Sequence, residues 1–306
     1  MTAPRPTGRV VVATSGTPAS TAAVAYAAHR ARDRCLRLEL VHVVPAHVAV
    51  GPLPTVPDVQ VRRAAQDVLD RGRALAETEA PGVEVSTTSV TGSRVDALVE
   101  RGREAALLVM GAAPQGMPER VWTGSTVTGV AARATCPVVV VPAAPAALAP
   151  TGRVLVGLQH PRHADRLLGC GFALAHQTGA RLVIVHAWHV MSPYDDAITA
   201  RAGDPAWTTE QSLLIEERLI DLRLVYPDVE VQIDLVHGQA AYALVTQSTE
   251  ADLLLISRAD HGGGLYHLGT TARAVLREAA CPVEVVPPVA VAAGAPAVHQ
   301  RATARP

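Results

Sequence analysis

The sequence predicts an α/β protein built from two tandem doubly wound domains, each around a five-stranded parallel sheet. Three observations lead there. The first is an internal repeat. "ATCPVVVVPA" at Ala134–Ala143 returns as "AACPVEVVPP" at Ala279–Pro288, so that Cys136 to Cys281 is a step of 145. "LELVHVV" (Leu38–Val44) returns as "LVIVHAW" (Leu182–Trp188), with His42 to His186 a step of 144, and Gly92 and Gly238 lie 146 apart. Near-constant spacing of this kind is what a duplicated structural unit leaves in a chain. The second is alternation within each copy. Short Val/Leu/Ile-rich runs of strand length alternate with segments of helical apolar spacing, the pattern of βα units around a parallel sheet. The third is composition: 49% of the residues are hydrophobic but only 3% are aromatic. The core must therefore be Val, Ala and Leu, which suits buried parallel strands under helices with small-residue faces. A length of 306 residues accommodates about two such domains.

Each element follows from local chemistry. Arg9–Ser15 reads as a strand. Thr17-Pro18 reads as a helix start, with the hydroxyl as N-cap and proline at the first helical position. Val24, Ala27, Ala28 and Ala31 then share one helical face. Leu36–Val44 is a strand, Gln60–Glu79 a charge-decorated helix and Val83–Val90 a strand. Ser93 caps the next helix, turning Val95, Leu98 and Val99 inward. Ala106–Met110 is a strand, followed by the loop "GAAPQGMPERVWTGST" (Gly111–Thr126), a helix over Ser125–Thr135 and a closing strand at Pro137–Val141. The second copy repeats the plan. The boundary falls in the Pro/Ala-rich segment Pro142–Gly152. The expected division is a first domain over 1–145, a linker over 146–152, a second domain over 153–289 and a disordered tail over 290–306. The closing strands Pro137–Val141 and Pro282–Val286 should be apolar sheet edges, which have to be paired or covered. The two copies are expected to pair through them within one chain.

Composition also excludes functions. All 27 basic residues are Arg, so phosphate-loop, Schiff-base and kinase-type lysines are ruled out. Net charge is −1 with no basic run, which argues against nucleic acid as partner. The N-terminus reads as neither a signal peptide nor a membrane span, and no other stretch predicts a membrane segment. Cys35, Cys136, Cys170 and Cys281 show no C-x-x-C spacing and are expected as buried thiols of a cytoplasmic protein. Gly169-Cys170-Gly171 falls inside a helix and carries no dinucleotide signal.

In doubly wound sheets a ligand sits beyond the carboxyl ends of the strands, where strand order reverses. The ends of the first and fourth strands flank that point, here Ser15-Gly16-Thr17 and Gly111. A glycine lets the backbone approach a phosphate, and the N–H groups of Gly124, Ser125 and Thr126 at the following helix start would face an anion. Gly269, Thr270 and Thr271 hold the corresponding place in the second copy. The same residues cap a helix equally well without a ligand, so the pattern alone leaves both readings open.

The strand, the G-x-x-G-x(9)-G-[ST]-like loop, the capped helix and the closing "CPVVVV", together with the opening strand and "HVV", resemble the universal stress protein family in its tandem form. The resemblance covers nearly the whole chain. It implies a universal stress protein-like, adenine nucleotide alpha hydrolase-like fold and a role as a stress-response regulator. It further implies ATP or another adenine nucleotide with Mg²⁺ as ligand, a cytoplasmic location and a homodimer. Gly111, Gly124 and Ser125 match the family's first glycine and final Gly-Ser, with Thr126 following. Val43 matches a backbone contact to the base. Ser15 stands where binding members carry an acid, and Pro114 replaces the second glycine. In the second copy Gln159 takes the acid's place, and counting back from Gly269 puts Ile256 and Ala259 at the first two glycine positions. Pro114 removes a donor and fixes φ, and a lost hydrogen bond to a charged phosphate costs roughly 1.5–3 kcal/mol. Ile256 would fill space the phosphate needs. The expectation is a weakened nucleotide site in the first copy and a weaker one in the second. The alternative is a non-nucleotide-binding interaction or scaffold module of the same fold. With no general base or Mg²⁺-binding acid at the switch point, no catalytic residue is assigned, and the activity expected is at most slow ATP hydrolysis.

His160, His163, His189, His237 and His261 fall near strand ends in the second copy. They lack i, i+4 spacing and a carboxylate pattern, so no metal site is assigned. His42 and His186 read as structural, Met117 and Trp122 as packing within the first loop. The segments after the second strands, 45–58 and 189–211, read as long loops on the binding face.

Overall fold

The computed structural model describes residues 8–45, 58–112, 126–143, 150–188, 205–258 and 268–288. The first copy comprises β1 (Arg9–Ala13), α1 (Pro18–Asp33), β2 (Arg37–Val44), α2 (Asp58–Glu79), β3 (Val85–Thr91), α3 (Arg94–Gly102), β4 (Leu107–Gly111), α4 (Thr126–Arg133) and β5 (Val138–Val141). The second comprises β6 (Arg153–Gly157), α5 (Asp165–Thr178), β7 (Arg181–Trp188), α6 (Pro205–Val225), β8 (Val231–His237), α7 (Ala240–Gln247), β9 (Leu253–Ser257), α8 (Thr270–Glu278) and β10 (Val283–Val286). The linker residues 144–149 and the tail from 289 lie outside the described residues.

The caps sit where the sequence puts them. Thr17 Oγ1 accepts from the Ser20 N–H at 3.4 Å with Pro18 opening α1, and Ser93 Oγ accepts from Asp96 N–H at 3.4 Å. Val24, Ala27, Ala28 and Ala31 are all buried. Some bounds move. β1 stops at Ala13, because Gly16 turns the chain with φ +75° toward the cap of α1. α6 begins at Pro205, inside what reads as loop. The cysteine expectation holds for half its members: Cys136 and Cys281 are buried, but Cys170 is half-buried and Cys35 is exposed on a turn with φ 53°.

The strands form one ten-stranded sheet in the order β3-β2-β1-β4-β5-β10-β9-β6-β7-β8. Pairing inside each copy is parallel, and the copies join through an antiparallel pair that sets Val140 opposite Val283, Val139 opposite Glu284 and Val138 opposite Val285. The two predicted edges thus satisfy each other, and all four residues of each closing strand are buried. On the face covered by α3, α4, α7 and α8 a single apolar cluster crosses the junction. On the opposite face the clusters stay apart, one under α1 and α2, the other under α5 and α6.

Charged groups reinforce this frame differently in each copy. Glu39, buried in β2, pairs with Arg9 at 2.8 Å and Arg101 at 2.9 Å and accepts from Thr88 Oγ1 at 2.9 Å. The register gives Val183 the same place in β7. Asp252 accepts the N–H groups of Thr151 at 2.6 Å and Gly152 at 2.8 Å, fixing the start of the second copy. Arg258, only 7% exposed, reaches across the junction: its Nη1 donates to the Ala132 and Ala134 carbonyls at 2.8 Å each, at the C-terminal end of α4. These carbonyls have no helical partner of their own. Arg258→Met should therefore lower unfolding free energy by about 2–3 kcal/mol, read as an earlier urea midpoint; an unchanged midpoint would contradict the assigned role.

Candidate functional site

Strand order reverses between β1 and β4 in the first copy and between β6 and β9 in the second. Each opening strand is held there by a histidine from its neighbour. His42 Nδ1 lies 2.8 Å from the Thr14 carbonyl, and His186 Nδ1 lies 2.9 Å from the Leu158 carbonyl. Both histidines are structural, as their matched positions suggest. They keep the backbone beyond β1 and β6 in place at the rim of the cleft.

In the first copy Ser15, Val43, Gly111 and Thr126 lie on elements whose ends share the carboxyl side of the sheet. Ser15 is exposed, its Oγ 3.1 Å from Thr17 Oγ1. Val43 buries its side chain in the core that crosses the junction. Gly111 is glycine for a packing reason: a Cβ there would stand 2.4 Å from the Ala19 carbonyl carbon and 2.7 Å from Ser20 N. The first turn of α1 occupies the space a side chain would need. Gly124, Ser125, Pro114, Met117 and Trp122 lie outside the described residues.

In the second copy the switch point opens into a cleft of about 380 Å³. Its rim is Leu158 and Gln159 beyond β6, Ala187 in β7, Ser257 at the end of β9, and Gly269, Thr270 and Thr271 at the start of α8. Val185, Leu244 and Ile256 supply apolar wall. Gly269, Thr270 and Thr271, the consecutive second-copy residues expected at the site, line this cleft opposite Gln159 and Ser257. Gly269 is the N-cap of α8 with φ −61° and ψ 165°; among the described residues no side chain caps the helix, and a Cβ at Gly269 would meet nothing within 4 Å. The first turn of α8 thus borders the cleft, an arrangement suited to an anion. No described residue lining the cleft is a carboxylate.

The assignment of Ile256 to the first glycine position is wrong by one residue. β9 sets Ile256 opposite Val285 and Ser257 opposite Val286, just as β4 sets Met110 opposite Val140 and Gly111 opposite Val141. Ser257 is therefore the counterpart of Gly111. Ile256 replaces Met110, and its side chain lies in the junction-crossing core. The stretch from the fourth strand to the helix cap is one residue shorter in the second copy, and counting back from Gly269 skips that difference. Ala259 lies outside the described residues. Gly157 makes room for this wall: a Cβ there would stand 2.9 Å from Leu244 Cδ1 and 3.2 Å from Ile256 Cγ2.

An aromatic cluster beside the site has only a faint sequence signal, a Trp at the end of β7 where the first copy has Val44. Trp207 of α6 stacks on His186 with centroids 5.6 Å apart and packs 4.3 Å from Trp188, which meets His237 edge-on at 4.7 Å. His160 and His163 pair at 5.5 Å; His189 and His261 lie outside the described residues. Among the described residues no group of three His, Cys, Asp or Glu side chains could hold a metal ion.

A tandem pair of doubly wound units, each with its switch point beyond the first and fourth strands, defines the class of protein. Comparison with known proteins makes it specific: the chain belongs to the universal stress protein family, whose model matches residues 6–142 and again 150–287. Universal stress protein Rv2005c of Mycobacterium tuberculosis is 31% identical over 296 residues, covering 93% of this chain and 99% of the relative. Universal stress protein Rv1996 of the same organism is 28% identical over 305 residues, covering 90% and 94%. A universal stress protein structure from Archaeoglobus fulgidus superposes with a TM-score of 0.69 at 18% identity, covering 92% of this chain and 97% of that one. No helix among the described residues is long and apolar enough to cross a membrane.

Burial holds the His186 imidazole below the usual histidine range, with the hydrogen bond to Leu158 opposing the shift only in part. The unfolded chain then binds the proton more readily than the folded one. The neutral ring's contribution is complete above the unfolded value of about 6.5 and is lost as pH falls from there toward the folded value. Urea midpoints should decline between about pH 7 and pH 5, and less steeply in His186→Gln; equal slopes would contradict the buried neutral imidazole.

Proposed function

We propose that this universal stress protein is a nucleotide-responsive regulator that takes an adenine nucleotide at its switch points, with the phosphates on the first turn of the helix after the fourth strand. The uncapped start of α8, Gly269 to Thr271, bordering the second copy's cleft carries this reading. The cleft's volume lies within the roughly 300–1,000 Å³ of small-molecule sites. Val185, Leu244 and Ile256 offer an apolar wall for the base, Gln159 and Ser257 offer polar groups for the ribose, and the α8 N–H groups receive phosphate. Ser15, Val43, Gly111, Gly124, Ser125 and Thr126 are the corresponding residues proposed for the first copy. Mg²⁺ would arrive with the nucleotide, because the described lining supplies no carboxylate to hold it. The reading is of a binding switch in the cytoplasm, with no catalytic residue assigned.

One observation favours the second reading, an interaction module of the same fold. α6 buries Ile215 and Leu219 but exposes Leu213, Ile220 and Leu224 by 66%, 59% and 77%. Their spacing of seven and four places them on one helical face, a surface suited to a partner or to a second copy of the chain.

Calorimetric titration with MgATP and AMP separates the readings. Gly269→Asp and Gly124→Asp probe the two copies, and aspartate is a favourable N-cap, so loss of binding at Gly269 would not reflect loss of the helix. Nucleotide binding with a dissociation constant in the micromolar range, weakened at least about tenfold by one of these carboxylates (about 1.4 kcal/mol), is expected. No heat from the unsubstituted protein up to millimolar nucleotide would overturn the proposal and leave the interaction module.

A further inference from the structure

The two faces of the junction differ, and the open one holds a second cleft. Where the cores under α1 and α5 stay apart, a space of about 860 Å³ lies between the last turns of α1 and the second copy. Its second-copy residues come from the end of α5 and the starts of β6, β9 and β10, such as Val154, Leu253 and Pro282, whereas the switch-point cleft is built from the ends of β6 and β9. The two sites are therefore separate. Tyr26, Leu174 and these three residues make most of the wall apolar, with Arg30 set into it.

Arg30 is the feature that calls for an occupant. It is 8% exposed, and its Nε and Nη2 are buried with no hydrogen-bond partner among the described residues. Buried guanidinium nitrogens without acceptors are unfavourable unless something supplies them. The opposing charge behind it is Glu284 of β10, 4% exposed, whose carboxyl is pushed up by burial and only partly held down by Arg30 and Arg34. Arg34, itself partly buried, is pushed down by burial and by Arg30. Two guanidinium groups thus face the one carboxyl buried behind this wall, while Asp33 and Asp252 lie on the lining itself. The asymmetry is built in: the register puts Glu284 opposite Val139, its counterpart in the other copy.

We propose that this inter-copy cleft binds a small organic monoanion, a carboxylate on a compact apolar body, with Arg30 as its anchor. A guanidinium presents paired donors that match a carboxylate. The apolar wall suits a hydrocarbon body, and clefts between domains are favoured places for such ligands. Asp33 and Asp252 on the lining disfavour a second negative charge, which separates a monoanion from free phosphate.

The test is thermal unfolding of the full chain, free of nucleotide, titrated with hexanoate, benzoate, hexanol and inorganic phosphate. A saturable rise in midpoint, half-complete below about 1 mM, is expected for at least one carboxylate, with hexanol and phosphate at least tenfold weaker. Arg30→Met should abolish the response, and Gly269→Asp should retain it, which keeps this site's outcome distinct from that of the switch point. Arg30→Met/Glu284→Gln removes both charges, keeping the test valid if the single variant folds poorly. No saturable shift with either carboxylate, an equal shift in the Arg30 variants, or hexanol matching hexanoate would overturn the assignment.

Discussion

The antiparallel pairing of β5 with β10 is the contact on which the rest of the molecule depends. Each copy alone would end in a four-residue edge, wholly apolar in Val138–Val141 and apolar except for Glu284 in Val283–Val286, and such an edge invites association with any other strand. Joined, the two edges disappear, and ten strands become one sheet. The apolar cluster under α3, α4, α7 and α8 then runs through the junction. The strands of the two copies run in opposite senses across this line, so each switch point belongs to its own copy while the packing beneath is shared.

Duplication supplied the frame, and divergence between the copies supplied the chemistry at their boundary. Arg258 is tied to the end of α4 in the other copy. Glu284 stands where the first copy has valine, facing arginines on α1. Glu39 draws Arg9 and Arg101 together in the first copy, while Val183 packs in the core of the second. These substitutions make the junction directional: the second copy reaches into the first through a charged group at two places. A ligand that shifts α8 or β9 acts on elements adjoining Ser257 and Arg258, giving a physical route by which one copy's occupancy would bear on the other.

Much of the fold was legible because its signals are local or repeated. Thr17-Pro18 and Ser93 announce helix starts by their own hydrogen-bond chemistry, and the step between Cys136 and Cys281 exposes the duplication. Even the pairing of closing strands follows from what an apolar edge requires. The candidate site was less legible because it depends on register. Counting from Gly269 displaced Ser257 by one residue, and only strand pairing reveals the shorter connection. Gly111 also has a packing reason that the sequence does not show, the close approach of α1. The start of α6 was missed because its apolar residues point both inward and outward, which erases the amphipathic period. Arg30 carries no sequence signal at all: its burial arises from the meeting of two copies.

Native-state hydrogen exchange followed by mass spectrometry tests the central claim, that the junction makes the two copies one cooperative body. Segments containing Val138–Val141 and Val283–Val286 should be among the last to exchange, and should do so together with β1, β4, β6 and β9 in a single global event. Complete exchange of one copy while the other keeps its protection would contradict the account and return the molecule to two domains that merely touch.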